Sequence, residues 1–108
     1  MADEESELDA IWAEHRQQTA QRLGVLREVA RSSAAGTLGP DLRSAGIAEA
    51  HALAGAASIF GFVEGTRLAR EIERRLRAPD GPDPALVGLA AALTISLDRD
   101  RDARGPAE

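Results

Sequence analysis

The chain has 108 residues, which suits one domain, and its net charge of −5 argues against nucleic acid as a partner because a phosphate backbone is bound by clustered positive charge. It contains no cysteine, which excludes disulfides and thiolate metal sites, and no apolar run approaches the roughly 18 residues of a membrane span. The acidic N-terminus is unlike a signal peptide, so we expect a cytoplasmic protein with no membrane partner.

Two helices are predicted in the first half of the chain. The first runs from about Ser6, a suitable N-cap, to about Arg31, with apolar residues every three or four positions. The second begins at Pro40, which suits a first helical turn, and ends near Gly61. No strand is predicted, because aromatic residues make up only 3% of the chain and Ala and Leu must supply most of the core.

The second half of the chain predicts two more helices. The third spans roughly Val63 to Arg77 and stops before a run of turn formers at positions 78–82. The fourth opens with Asp83 as its N-cap and ends near Asp98. Short connections between amphipathic helices predict an all-α antiparallel four-helix bundle, one domain over residues 1–108 with its core at about 6–98. Residues 1–5 and 99–108 are expected to be flexible.

One histidine of the second helix is expected to point into water. At about 100° per residue, His51 lies roughly 160° around the helix from Leu53, which belongs to the apolar stripe. No bulky polar residue lies on the same face as the histidine, whose neighbours there include Ile47, Ala48, Ala54, Gly55 and Ser58. An exposed histidine on a bare surface indicates contact with another protein.

The segment from about residue 42 to 77 resembles the histidine-containing phosphotransfer (HPt) domains of two-component signalling. The pattern of that family is His-x-Leu-Lys-Gly, a glycine ten residues after the histidine, and a Leu-Glu pair late in the next helix. The positions that match it are His51, Leu53, Gly55, Gly61 and the pair Ile72-Glu73. The stretch Phe60-Gly61-Phe62 is most similar to the N-terminal phosphotransfer domain of chemotaxis histidine kinases of the CheA type.

This resemblance implies an HPt-like bundle that acts as a monomeric phosphocarrier. His51 would take a phosphoryl group from a histidine kinase or a receiver-domain aspartate and pass it to a receiver-domain aspartate. Glu73 would orient the ring by accepting a hydrogen bond from Nδ1–H, which leaves Nε2 as the nucleophile. The expected docking face comprises Ile47, Ala48, Ala54, Gly55, Ser58 and Phe62. No cofactor or resident metal is expected, since Mg²⁺ belongs to the partner receiver, and the chain is too short for an ATP-binding kinase domain.

The sequence departs from the family pattern at one important position. The lysine of the family, three residues after the histidine, is replaced by Ala54. Arg70, one turn before Glu73, is the candidate phosphoryl contact in its place, because arginine binds phosphate well. Alternating Glu and Arg on the third helix also fits a solvated face, which is the alternative interpretation of both Glu73 and Arg70. The replacement at position 54 supports an alternative function, a non-phosphorylated module that binds a receiver or kinase.

A second departure is Gly65, where the family usually has leucine. Glycine is a poor helix former, so the substitution is expected to loosen the start of the third helix. The fold is otherwise expected to follow the family.

Overall fold

The computed structural model describes residues 2–78 and 81–103, and within these ranges it omits the side chains at positions 2–9, 11, 12, 101 and 103. The described residues form four helices, α1 (Ala2–Ala35), α2 (Pro40–Ile59), α3 (Val63–Arg77) and α4 (Ala85–Ala103). Each helix packs against its neighbours in the chain, and α4 also packs against α1. This arrangement confirms the predicted antiparallel four-helix bundle.

The predicted boundaries are confirmed for α3 and for α2, which begins at Pro40 and ends at Ile59, just before the turn at Gly61. The bounds of α1 and the end of α4 need correction. α1 begins at Ala2 and ends at Ala35, so Ser6 does not begin the helix and Arg31 does not end it. α4 continues past Asp98 to Ala103. In both cases Ala, Glu and Arg have high helix propensity and extend a helix beyond the last apolar residue of its stripe. The flexibility of residues 1–5 and 99–108 stays a prediction.

The connection between α2 and α3 is a tight turn at residues 60–62. Gly61 has a φ of 75°, the left-handed conformation that favours glycine. The Phe62 N–H donates to the Ala57 carbonyl at 2.8 Å and the Gly61 N–H donates to the Ser58 carbonyl at 3.1 Å. This is the Schellman pattern of helix termination, and it reverses the chain so that α3 runs back along α2.

Small residues allow the helices to approach closely. Gly46 is buried on α2, and a Cβ at this position would lie 3.0 Å from Cγ2 of Val29 and 3.1 Å from Cδ1 of Leu76. A Cβ on Gly65 would lie 2.6 Å from Cδ2 of Leu97. The space that a side chain at position 65 would need is therefore filled by a leucine of α4. Gly65 is buried in the first turn of α3, which begins at Val63, and the expected loosening of that turn stays a prediction.

We predict that Gly46→Leu destabilises the bundle by about 1–3 kcal/mol relative to Gly88→Leu, since overpacking a filled core costs this much. Gly88 is the matched control, because it is an exposed helical glycine whose added Cβ would meet nothing within 4 Å. Both variants gain the same helix propensity, so their difference isolates the steric cost. Urea unfolding measures it, and equal stability of the two variants would contradict the packing described here.

Candidate functional site

His51 lies on α2 with its imidazole in solvent. Its side chain is 75% exposed, whereas the neighbouring Ala50 and Leu53 are 0% and 2% exposed. The helical periodicity explains this contrast, because residues only one or two positions apart on a helix face different directions. The predicted outward orientation of His51 is confirmed.

Glu73 of α3 meets the histidine across the helix pair. His51 Nδ1 lies 3.1 Å from Glu73 Oε2 and 3.3 Å from Oε1. The two residues are equally far from the turn, because position 51 lies eleven residues before Phe62 and position 73 eleven residues after it. An Nδ1–H facing a carboxylate donates a hydrogen bond to it, and the other ring nitrogen, Nε2, then carries a free lone pair. The structure thus brings the predicted pair together.

Arg77 holds the same carboxylate from one helical turn further along α3. Its Nη2 and Nε donate to Glu73 Oε2 at 2.9 Å and 3.2 Å. The hydrogen bond from Arg77 lowers the pKa of Glu73, partial burial of the carboxyl opposes this, and contact with His51 lowers the pKa further. Glu73 therefore stays ionised, and remains a hydrogen-bond acceptor, across the neutral pH range. The sequence analysis missed Arg77, although a glutamate four residues before an arginine signals such a pair.

The structure divides the predicted docking face into exposed and buried residues. Ala48, Gly55 and Ser58 are exposed, and Ile47 is half-buried against the core. Two residues were wrongly expected on the surface: Ala54 is only 4% exposed and Phe62 only 7%. Ala54 belongs to the buried face of α2, and Phe62 packs inward after the turn, stacked on Phe60 with ring centroids 5.6 Å apart.

Arg70 lies on the exposed side of α3, beside a surface groove of about 570 Å³. It lies eight residues after Phe62, and Ala54 lies eight residues before it, so the two positions are opposite each other on the helix pair. Within the described part of the chain Arg70 has no hydrogen-bond or ion-pair partner, His51 included. Arg67 and Arg74, which line the same groove, are paired with glutamates on α3. The guanidinium of Arg70 is accordingly open to a ligand.

Within residues 2–78 and 81–103, no three His, Asp or Glu side chains gather in a way that would hold a metal ion. No helix among these described residues is long and apolar enough to cross a membrane.

Comparison with known proteins identifies the family. The chain matches the family model of the Hpt domain over residues 10–103, and it therefore belongs to the Hpt domain family. Hpt domains are phosphocarrier modules of phosphorelay signalling and have no kinase activity of their own. The chain is also similar to Protein RcaC of Microchaete diplosiphon, with 27% identity over 95 residues. That match covers 88% of this chain and 15% of the relative's length. No solved structure matches significantly.

The ionised Glu73 predicts a pH-dependent contribution to stability. Its pKa is lowered from an ordinary value of 4.5, so its contacts stabilise the folded chain fully above that pH and are lost as the pH falls through the lowered pKa. We expect wild type to exceed Glu73→Gln in unfolding free energy by about 1 kcal/mol or less at neutral pH, as for other partly exposed ion pairs. This difference in unfolding free energy should disappear as the pH falls through the lowered pKa of Glu73. Urea unfolding across this range tests it, and a gap that persists in acid would contradict the assignment.

Proposed function

We propose that this Hpt domain carries a phosphoryl group on Nε2 of His51. The donor is a histidine kinase or the aspartyl phosphate of a receiver domain, and the acceptor is a receiver-domain aspartate. The observation that supports this most strongly is the 3.1 Å contact between Nδ1 and Glu73 beneath a ring that is 75% exposed. One nitrogen is occupied by an orienting carboxylate while the other side of the ring is open to a partner.

The chemistry follows from this orientation. With the proton on Nδ1, the Nε2 lone pair attacks the phosphorus of an aspartyl phosphate in line with the bond to the aspartate oxygen. The P–N bond forms as the P–O bond breaks, and the aspartate leaves as a carboxylate. No proton has to move, because positive charge develops on a ring whose Nδ1–H is already hydrogen-bonded to Glu73. The reverse sequence of bonds transfers the group to a receiver, whose own Mg²⁺ neutralises the phosphoryl oxygens.

The surface around His51 suits the approach of a receiver domain. Gly55, one turn after the histidine, is exposed, and an added Cβ would meet nothing within 4 Å. Ala48 and Ser58 are small exposed residues on the same helix. Arg70 supplies the cation that the family places at position 54, because its position on α3 is opposite Ala54 and its guanidinium is open. The buried Ala54 and Phe62 support this face from below.

The acceptor is tested by incubating wild type and His51→Gln with Mg²⁺-loaded, pre-phosphorylated receiver domains. We expect wild type alone to acquire label, and the label to be labile in acid and stable in base, as is typical of a phosphoramidate. Equal label on His51→Gln would rule out this histidine as the acceptor. Receiver binding without label on wild type would favour the alternative, a non-phosphorylated interaction module.

The role of Arg70 is tested by removing its charge and then by placing a lysine at position 54, with the transfer rate as the measurement. We expect Arg70→Gln to slow transfer about tenfold, which corresponds to losing one charge-assisted hydrogen bond to the phosphoryl group. Adding Ala54→Lys should restore part of the rate, since a lysine at a buried position extends its ammonium to the surface. Arg27→Gln, on the exposed side of α1, is the control and should transfer like wild type. An unchanged rate in Arg70→Gln would contradict the assignment.

A further inference from the structure

We propose that Arg77 is a positioning residue for phosphotransfer, acting through Glu73 on the imidazole of His51. The inference rests on the proposed function above, and it adds a third residue to the His51–Glu73 pair. Arg77 itself is not placed in contact with the phosphoryl group. It keeps the Glu73 carboxylate within hydrogen-bond distance of His51 Nδ1.

The hydrogen bonds converge on one oxygen. Glu73 Oε2 accepts from Arg77 Nη2 at 2.9 Å and Nε at 3.2 Å, and it lies 3.1 Å from His51 Nδ1. A glutamate with three rotatable side-chain bonds otherwise samples several rotamers, and ordering it costs conformational entropy. Two donors from one planar guanidinium hold Glu73 Oε2 in place, which a single contact with a mobile ring does not.

The end of α3 places Arg77 for this role. Arg77 is the last residue of the helix, and Ala78 turns to an extended conformation with φ −71° and ψ 135°. The proline at position 79 explains this change, because a residue before proline is disfavoured in the helical region. Glu73 precedes Arg77 by four residues, the order in which a glutamate–cation pair on a helix is most favourable. The negative end of the helix dipole also favours a cation here.

The other paired arginines of α3 have different partners. Arg67 binds Glu64, and Arg74 binds Glu71. Arg75 binds Glu71 and also Asp83. Among the described residues, the ion pair with Glu73 from within α3 is made by Arg77. Arg75→Gln is therefore a matched control, because it removes ion pairs of the same kind from the same helix and leaves Glu73 untouched.

The experiment measures the tautomer of His51 by ¹⁵N NMR of the imidazole, together with the transfer rate from a phosphorylated receiver. In wild type and Arg75→Gln we expect the Nδ1–H tautomer to predominate. In Arg77→Gln the ring should shift toward the tautomer mixture of free imidazole, and transfer should slow about tenfold, as expected when an orienting hydrogen-bond network is broken. Arg77→Lys keeps the charge without the planar fork and should restore both readouts in part.

Two results would overturn the inference. A slower transfer in Arg77→Gln with an unchanged tautomer would show that Arg77 does not act by positioning the ring. No change in either readout would show that Arg77 has no role in transfer. The tautomer measurement needs no phosphoryl donor. A wild-type chain that accepts no label would thus overturn the proposed function alone, while the response of the ring to Arg77→Gln still decides the positioning.

Discussion

The antiparallel contact between α2 and α3 is the constraint on which the site depends. It is fixed by the left-handed Gly61 at the turn and by small residues where the two helices meet. A Cβ on Gly65 would lie 3.7 Å from Cβ of Ala57, and one on Gly46 would lie 3.1 Å from Cδ1 of Leu76. Helices this close bring a glutamate eleven residues after the turn within hydrogen-bond distance of a histidine eleven residues before it.

The site lies at the boundary between this packed surface and water. Glu73 has only 15% of its side chain exposed, whereas the histidine it contacts is 75% exposed. A carboxylate that is mostly shielded interacts more strongly with its partners than one in bulk water. An exposed imidazole, in turn, is what a second protein needs in order to reach its Nε2. The contact of His51 Nδ1 with Glu73 therefore joins the proposed orienting carboxylate to the proposed phosphoacceptor ring.

Much of this arrangement was predictable from the sequence. The helical period placed His51 outward, and the glycine and Ile-Glu spacings identified the family and the histidine–glutamate pair. The burial of Ala54 was predictable and was missed, because positions 50, 53, 54 and 57 form one buried helical stripe. The burial of Phe62 was not predictable, because it depends on how the chain enters α3 after Gly61. The packing of Leu97 over Gly65 depends on a residue of another helix, which a local pattern does not contain. Arg77 resembled a solvated charge until the structure gave its distance to Glu73.

The most direct test of the account is the position of the phosphoryl group on the protein. A ³¹P–¹⁵N correlation spectrum of the phosphorylated, ¹⁵N-labelled chain reports which nitrogen carries the phosphorus. The account predicts a coupling to Nε2 of His51, with Nδ1 still bearing its proton beside Glu73. A coupling to Nδ1, or phosphorus on any other residue, would contradict it.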